Sequence, residues 1–258
     1  MTRFLGLSLF IAISASNPLM HAQSSVHRPG LKKSDRNHTP TAAALVERYI
    51  NAIGGRAAWI KIKTQLGTGS IQLLPMTDIG TFETYSRAPN QHFEVIKLVR
   101  LGELRSGFDG ERGWSQNPKD GFKYSPPEKQ GADKRNSDFY MYLHFKDHFA
   151  DAKVTDIEEV EGSSAYVIEA TPVGEDEPER IYFDVHTHLL VRHDTIDPDS
   201  KGEKTQSIAY FSDYRDVDGI KVAFSIRLVR GSVTMLMKIK ELKNNAEIDD
   251  SMFAPPGK

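Results

Sequence analysis

The stretch DYRDVDGIKVAF, from Asp213 to Phe224, is the part of this 258-residue chain that most directly predicts a fold. It contains an Asp-Gly pair at Asp218 and Gly219 between two apolar runs, which is the strongest short-range sign of a β-hairpin. After the turn, apolar side chains alternate with Lys, Ala, Ser and Arg, so one face of the strand meets an apolar interior and the other largely meets water. The alternating apolar residues are Ile220, Val222, Phe224, Ile226 and Leu228.

Similar short runs, separated by Gly, Pro, Asn and Asp, occur along most of the chain. Their composition and their period of two predict consecutive antiparallel strands. About eleven strands are expected, which makes the fold class mainly β with a smaller α component. The predicted strands lie within Ile60–Leu74, Gly80–Ser86, His92–Val99, Leu104–Phe108, Gly113–Gln116, Val154–Val160, Ala165–Thr171, Arg180–Asp184, Leu189–Thr195, Thr205–Tyr214, Ile220–Leu228 and Ser232–Leu242.

Two segments have helical spacing instead. HTPTAAALVERYINAIGG, residues 38–55, has Thr39 as a cap, Pro40 at the first helical position and a Gly-Gly stop. DFYMYLHFKDHFADA, from Asp138 to Ala152, has an acidic start and aromatic residues at mostly helical spacing, which predicts a second helix. The residues between Asn117 and Asn136 are predicted to be a break between strands.

A large antiparallel sheet with so few helices cannot lie flat, because the native twist accumulates and open edges invite pairing with other chains. We therefore predict a strongly curved antiparallel half-barrel that encloses a hydrophobic cavity covered by two or three helices. The mouth of such a barrel is a common binding site for apolar ligands.

The composition is that of a water-soluble globular protein, with 39% hydrophobic and 26% charged residues. The 33 basic and 35 acidic side chains give a formal net charge of −2, so no net field attracts nucleic acid or an anionic membrane. This balance argues against nucleic acid as a partner. Cysteine is absent from the sequence, which excludes disulfides, thiolate metal sites and a cysteine nucleophile.

The N-terminus has the features of an export signal. Arg3 precedes the apolar run FLGLSLFIAISA, and small residues follow, which predicts a secretory signal peptide over residues 1–22. Residues 23–38 are polar and without period, so we expect a flexible leader there and a single domain over residues 39–258. No later stretch approaches the ~18 uninterrupted apolar residues of a transmembrane helix, and no cysteine could carry a lipid anchor. We expect an exported, unanchored protein, located in the periplasm if the host has two membranes.

Two histidine patterns could bind metal. Asp184, His186 and His188 would share one face of a continuous strand. The alternative, which we favour, is that His186, Thr187 and His188 form the exposed turn of a hairpin between Ile181–Val185 and Leu189–Thr195. His144 and His148 lie one helical turn apart, but a phenylalanine occupies the position where a zinc protease has its glutamate base. We interpret these two as a solvated helix face.

Motifs of the common catalytic and nucleotide-binding sites are missing from the sequence. It contains no Gly-x-Ser-x-Gly elbow, no P-loop and no Rossmann glycine run. Acidic pairs such as Glu158-Glu159 and Asp249-Asp250 are neighbours in sequence, and on a strand two neighbouring side chains point to opposite faces. We therefore predict no enzyme, no metal and no cofactor.

Three further stretches follow one another in a characteristic order. TFETYSRAPNQHFEV, residues 81–95, has an arginine near a Pro-Asn turn followed by an aromatic residue. GFDGERGWSQNP, residues 107–118, has an Asp-Gly hairpin followed by Trp and Asn-Pro, and IDDSMFAPPGK, residues 248–258, has a closing Phe-x-Pro-Pro. This pattern spans most of the predicted mature chain and resembles the periplasmic outer-membrane lipoprotein carrier (lipoprotein-sorting) family.

The resemblance implies a half-barrel closed by helices around a cavity that accepts acyl chains of lipoproteins. It implies transfer of this cargo from an inner-membrane exporter to an outer-membrane receptor. It also implies that Arg87, which here is separated from Pro89 by one extra residue, holds a helical lid shut through backbone carbonyls, and that Phe93 and Trp114 are cavity aromatics. The other candidates for the cavity lining are Phe139, Tyr142, Phe224 and Met235.

Energetics favour a carrier in which release, not binding, is difficult. A fourteen-carbon chain gains on the order of 11 kcal/mol at about 0.8 kcal/mol per buried methylene, before the costs of association. A latch at Arg87 that stabilises the closed state by roughly 1.5–3 kcal/mol would weaken binding about ten- to over a hundredfold. Two other function classes stay open: a periplasmic sensor or adaptor that recognises a protein or lipid signal with the same half-barrel, and, third, an exported hydrolase.

Overall fold

The structure is a computed structural model that describes residues 2–3, 8–9, 39–198 and 204–256. The predicted signal peptide and leader therefore lie almost entirely outside the described residues. Two strands of two residues each, β1 (Thr2–Arg3) and β2 (Ser8–Leu9), pair antiparallel near the N-terminus.

Thirteen further strands form one antiparallel sheet that is open at both edges. The first arm of the sheet consists of β3 (Thr64–Leu74), β4 (Asp78–Arg87), β5 (Gln91–Leu98), β6 (Gly102–Phe108), β7 (Gly113–Asn117) and β8 (Gly121–Tyr124). The second arm consists of β9 (Phe149–Val160), β10 (Ser163–Pro172), β11 (Glu179–Asp184), β12 (Leu190–Pro198), β13 (Lys204–Val217), β14 (Ile220–Arg230) and β15 (Val233–Asn244). Within each arm, strands follow one another as a meander, and β3 pairs with β15 to join the two arms. Because twist accumulates over so many strands, the sheet is a curved half-barrel, as predicted.

The hairpin that decides the fold has the predicted geometry. Val217 pairs with Ile220, and the two turn residues between them, Asp218 and Gly219, have φ angles of 55° and 82°. Positive φ at both central residues is the requirement of a type I′ turn, whose twist matches that of the flanking strands. Beyond the turn, the alternate apolar residues of β14 are all buried.

The sheet has more strands than the alternation predicted. β8 lies in the stretch expected to be a break, where only four residues pair with β7 after a turn that ends at Gly121. Four residues are too few to show a reliable period of two. The outermost strand of the first arm was therefore not predictable from periodicity.

The first helix, α1 (Ala42–Ala52), begins two residues later than predicted. Thr41, not Thr39, is its N-cap, because the Thr41 backbone is extended and its hydroxyl accepts a hydrogen bond of 3.2 Å from the Ala44 amide. A second, one-turn helix, α2 (Arg56–Trp59), follows at once after the predicted glycine stop.

The predicted helix over Asp138–Ala152 is wrong. Residues 139–144 form turns, α4 (Phe145–His148) has a single helical turn, and β9 begins at Phe149. The physical reason is that Phe149 and the next residues pair with β10, where Phe149 lies opposite Pro172. A helix that the sequence did not predict, α3 (Pro127–Asn136), precedes these turns. Within the described residues, no helix is long and apolar enough to cross a membrane.

The main core lies between the inner face of the sheet and the helical segments. Tyr49 of α1 contacts the rings of Tyr142 and Phe183 at centroid distances of 4.9 and 5.0 Å. Both arms contribute to this inner cluster, and α1 and residues 139–149 cover it. Its most deeply buried side chains include Leu45, Tyr49, Ile50, Leu73, Phe82, Ile96, Phe183 and Met237.

Candidate functional site: an aromatic groove under the C-terminal segment

The first arm presents apolar side chains on both faces. On β5, Ile96 belongs to the inner cluster, whereas Phe93 and Val95 point to the opposite, outer face. Successive side chains of a strand alternate between faces, so the outer face of β4 to β7 carries its own row of residues. Trp114 of β7 lies in the same outer cluster as Phe93.

The outer face of the first arm carries a row of stacked aromatic rings. Tyr85, Phe93 and Trp114 come from three strands, with centroid distances of 5.8 Å for each neighbouring pair and interplanar angles of 26° and 25°. Gly107 of β6 lies beneath the indole: a Cβ there would approach the Trp114 ring to 2.8 Å. The glycine therefore lets the tryptophan lie flat on the sheet, and the row forms a continuous apolar floor.

The C-terminal segment, residues 248–256, forms one wall above this floor. It contains a short 3₁₀ helix (Asp250–Phe253), which Asp249 caps by accepting a hydrogen bond of 2.8 Å from the Ser251 amide. Phe253 is 1% exposed and packs in the outer cluster. The wall is therefore anchored by one aromatic side chain inserted among those of the floor.

Arg87, at the end of β4, fastens the C-terminal segment to the sheet. Its guanidinium donates hydrogen bonds to the Ile248 carbonyl and the Asp250 carboxylate, and it lies 4.8 Å from the centroid of the Phe253 ring. Asp250 is 93% exposed, so the backbone contact and the ring contact carry more weight than the ion pair. Arg87 thus holds a backbone carbonyl and a short helix, on the outer face of the sheet.

The space between floor and wall is a groove of about 400 Å³, within the range of roughly 300–1,000 Å³ found for small-molecule sites. Its rim is charged: the Arg105 side chain bonds Glu103 at 2.5 Å, and Lys97 lies 3.8 Å from Glu83. The groove is lined by Glu83, Tyr85, Phe93, Val95, Lys97, Glu103, Arg105, Trp114, Ser251, Met252, Ala254, Pro255 and Pro256.

One polar group is fixed at the edge of the floor. The Tyr85 hydroxyl donates a hydrogen bond of 2.8 Å to Glu83. Desolvation, together with this hydrogen bond and the nearby negative charge of Glu83, raises the pKa of Tyr85 to about 12. The phenol is therefore neutral at physiological pH and can donate a hydrogen bond, whereas the Trp114 indole N–H is buried within the described residues without a partner.

The inner face beneath the groove carries buried polar residues. Thr84, Glu94 and Ser106 lie opposite one another on three strands and are buried. His92 is buried beside them, and its Nδ1 lies 3.1 Å from the hydroxyl of Ser137, just after α3. Burial lowers the pKa of His92 to about 3 and raises the pKa of Glu94 well above its ordinary value, so both groups favour their neutral forms.

The structure divides the seven predicted site residues between the two faces of the sheet. Arg87, Phe93 and Trp114 come together at the outer groove. The four others belong to the inner cluster: Phe139, Tyr142, Phe224 and Met235. The residues that the sequence analysis missed are Tyr85, Met252 and Phe253, although two of these lie in the quoted C-terminal motif.

The two histidine patterns have different outcomes. Residues around His186 form an exposed turn, as favoured, in which the Asp184 carboxylate accepts hydrogen bonds from the amides of His186 and Thr187 at 3.0 and 2.6 Å. These bonds hold the pKa of Asp184 below its ordinary value despite desolvation. His144 and His148 do not form a plain solvated face, since both rings bond to Asp138.

The sequence matches no protein-family model and no curated protein. Among solved structures, the chain is similar to a DUF1329 family protein from Desulfovibrio piger (TM-score 0.57, 15% identity, covering 84% of this chain and 98% of that one). It is also similar to a LolA superfamily protein from Nitrosomonas europaea (TM-score 0.56, 10% identity, 84% and 98% covered).

A third structure with the same likeness is a domain named for outer membrane lipoprotein sorting from Vibrio parahaemolyticus, with a TM-score of 0.54, 11% identity and coverage of 81% of this chain and 94% of that one. The chain shares the fold of these three structures. The predicted half-barrel fold is thereby confirmed, and at these identities the likeness concerns the fold alone. The half-barrel places the aromatic groove on its outer face, beside the C-terminal segment.

Proposed function

We propose that this protein is a periplasmic carrier or chaperone that binds acyl chains of lipoproteins, or similar lipid-like cargo, in the groove under its C-terminal segment. The single observation that carries the proposal is the groove itself: about 400 Å³ of space above the stacked rings of Tyr85, Phe93 and Trp114, a volume typical of small-ligand sites. The LolA-like fold supports the same function class by analogy only.

The chemistry of the groove suits a hydrocarbon chain with a polar end. Aromatic and aliphatic side chains form the floor and the wall, and each methylene that leaves water contributes about 0.8 kcal/mol. Charged side chains, including Lys97 and Arg105, stand at the rim, where the polar end of a cargo molecule would emerge. The lining is suited to binding rather than to acid–base chemistry, so we propose a non-enzymatic role.

The outer groove is a better first site than the inner face. Side chains of both arms pack into the inner cluster, and α1 covers them. A chain bound there would require α1 and residues 139–149 to move away, with the loss of contacts such as Tyr49 to Tyr142. The outer groove is already open, and only the wall held by Arg87 needs to move for a longer chain.

Arg87 would act as the latch of the empty state. Phe253 occupies part of the outer cluster, so cargo that extends along the floor competes with it. Because Arg87 holds the same segment, its contacts favour the closed protein and weaken binding, which assists release. Export by a signal peptide, delivery from an inner-membrane exporter and transfer to an outer-membrane receptor belong to the same proposal.

Competition of myristate with a fluorescent fatty acid tests the binding site. We expect Phe93→Ala to weaken myristate binding at least tenfold, because the floor loses its central ring. We expect Arg87→Leu to tighten it about tenfold, the equivalent of about 1.4 kcal/mol released from the latch. The matched control is Ile157→Ala, since Ile157 is exposed on the edge strand β9.

Two outcomes would contradict the proposal. One is myristate binding that is equal in the wild type and Phe93→Ala, and the other is no binding of myristate by the wild type.

Mass spectrometry of the protein purified from periplasm should detect retained lipid or acylated peptide. Capture of one defined protein partner, with no lipid, would instead support the sensor or adaptor function.

A further inference from the structure

A second cluster of polar side chains lies between α3 and β9 and shares no residue with the groove. It consists of Asp138, His144 and His148. The Nδ1 atom of His144 lies 2.7 Å, and the Nε2 atom of His148 lies 2.6 Å, from the same carboxylate oxygen of Asp138. The other oxygen of Asp138 accepts a hydrogen bond of 2.8 Å from the Tyr140 amide, which fixes the orientation of the carboxylate. Three potential ligands therefore converge on one point.

The elements of the fold explain this convergence. His144 caps α4 and His148 is its last residue, so the two rings emerge one helical turn apart on the same side. Asp138 begins the turn that leads into α4 and folds back beneath the two rings. The edge of the Tyr140 ring supports the His144 ring at a centroid distance of 6.1 Å.

We propose that Asp138, His144 and His148 form a binding site for a divalent transition metal, with Zn²⁺ as the best match. The ligand atoms of the three residues lie within 4.8 Å of one another. Two imidazoles and one carboxylate are a recurrent three-ligand set for Zn²⁺ and related ions, and they leave a fourth position for water or an external ligand. The two histidines at i and i+4 have the helical spacing common in such sites.

The exposure of the three residues suits an ion that enters from solvent. The side chain of Asp138 is 12% exposed, that of His148 is 18% exposed and that of His144 is 46% exposed. Asp138 and His148 thus form the buried side of the site, and His144 faces water. By contrast, the His193 side chain, which pairs with Glu179, is only 2% exposed, and that of Glu179 is 4% exposed.

Metal binding requires a small local change. With metal–ligand distances of about 2.0–2.1 Å and tetrahedral angles, two ligand atoms lie about 3.3 Å apart. In the structure, the two histidine nitrogens lie 2.7 and 2.6 Å from the Asp138 oxygen. Each ring must therefore retreat by about 0.7 Å, which small side-chain rotations can supply. Zn²⁺ would bind the lone pairs of His144 Nδ1 and His148 Nε2, so each neutral imidazole would carry its single ring proton on the other nitrogen, His144 Nε2 and His148 Nδ1.

The site has a structural consequence because of what surrounds it. Phe139, Tyr142 and Phe145, which belong to the inner cluster, are interspersed with its ligands along the chain. An ion bound to Asp138, His144 and His148 would cross-link this turn to α4 and hold the cover of the inner face in place. Binding should therefore stabilise the folded protein, because an ion that binds only the folded state shifts the unfolding equilibrium.

Isothermal titration of Zn²⁺ into the mature full-length chain, prepared without an affinity tag and freed of metal with a chelator, tests the proposal. We expect one Zn²⁺ per chain and a rise in thermal unfolding temperature. His144→Ala and His148→Ala should each weaken Zn²⁺ binding at least tenfold and abolish that rise. His186→Ala is the matched control, since its side chain is exposed in a turn away from the cluster and its loss should change neither quantity.

His148→Gln covers the case in which His148→Ala fails to fold, because glutamine keeps a hydrogen-bond donor while being a poor ligand for Zn²⁺. The visible spectrum of bound Co²⁺ gives a separate readout of mixed nitrogen and oxygen coordination. The proposal is overturned if the wild type binds no Zn²⁺, or if the double variant of His144 and His148 binds it as tightly as the wild type, which would locate the ion at other histidines. A loss of metal binding would leave the fatty-acid competition at the groove unaffected, so the two proposals fail separately.

Discussion

The two arms of the sheet divide their apolar side chains differently between the two faces. In the second arm most of the inner face is apolar, and Phe183 is its most enclosed aromatic residue. In the first arm the inner face becomes polar at Thr84, Glu94 and Ser106, while the outer face carries the stacked row that includes Trp114. The sheet is continuous, and successive side chains of every strand point to opposite faces. The difference between the arms is therefore a difference in which alternate residues of the strands are apolar.

The arms also differ in what covers their outer faces. The C-terminal segment covers the outer face of the first arm. The outer face of the second arm is covered by its own side chains, in an Arg–Tyr ladder formed by Arg180, Tyr182, Arg192, Tyr210 and Arg227. On the first arm, the C-terminal segment lies over apolar residues as a separate cover and leaves a groove beneath it. On the second arm, the packed Arg and Tyr side chains cover the outer face themselves. The difference explains why the candidate site is on the first arm.

The largest expected effect separates the cores of the two arms. Phe183→Ala should lower the free energy of unfolding by about 3–5 kcal/mol, because the ring is fully buried against Tyr49 and Tyr142. The matched change on the outer face of the first arm is Phe122→Ala, where the ring is 36% exposed and touches Trp114 at 6.2 Å. We expect a loss of only about 0.5–1.5 kcal/mol there, typical of an aromatic pair. Urea denaturation measures both, and equal losses would contradict the comparison.

The polar inner face of the first arm makes a prediction about pH. Burial raises the pKa of Glu94 above its ordinary value of 4.5, so the folded state holds its proton to higher pH than the unfolded state does. Stability from this group is therefore present at low pH and declines as the pH rises above about 4.5 toward the folded-state pKa. Glu94→Gln removes the ionisation and should flatten this decline.

At pH 8 we expect Glu94→Gln to be more stable than the wild type by about 1–3 kcal/mol, because the wild type must either hold the Glu94 proton or bury its charge, and each unit of raised pKa corresponds to about 1.4 kcal/mol. Urea denaturation at pH 5 and pH 8 is the measurement. Glu169→Gln in the second arm, at a partly exposed glutamate that pairs with Lys153 at 3.4 Å, is the control and should show no such gain. A parallel pH dependence in the wild type and Glu94→Gln would show that Glu94 is not the group responsible.

The sequence predicted the parts of the fold that depend on local alternation. The hairpin at Asp218 and Gly219 needs only two turn residues and flanking apolar runs, and it was found in the predicted register. The motif residues Arg87, Phe93 and Trp114 were predicted to share one site, but together with Phe139, Tyr142, Phe224 and Met235, which belong to the inner cluster. Which face of the sheet they occupy could not be read from their strands, since both alternate sets in the first arm contain buried residues.

Other features depend on contacts that periodicity does not encode. Helix α3 buries Asp133, Arg135 and Asn136, so it has no apolar stripe that a pattern search could detect. The segment from Asp138 has aromatic residues at helical spacing, but strand pairing with β10 ends the helix early. The convergence of His144 and His148 on a carboxylate required the turn geometry, which the spacing of the two histidines alone did not reveal.

The smallest expected effect concerns the ladder of the second arm. Arg227 lies 3.8 Å from the centroid of the Tyr210 ring and bonds to Glu161, but its side chain is 34% exposed. Contacts of this kind contribute about 0.5–1 kcal/mol at exposed sites, so Arg227→Gln should lower the free energy of unfolding by no more than that. Myristate binding should not change, because the ladder is not part of the groove. An altered myristate affinity in Arg227→Gln would mean that the ladder of the second arm contributes to binding in the groove of the first arm. It would contradict the conclusion that only the first arm has a binding site on its outer face.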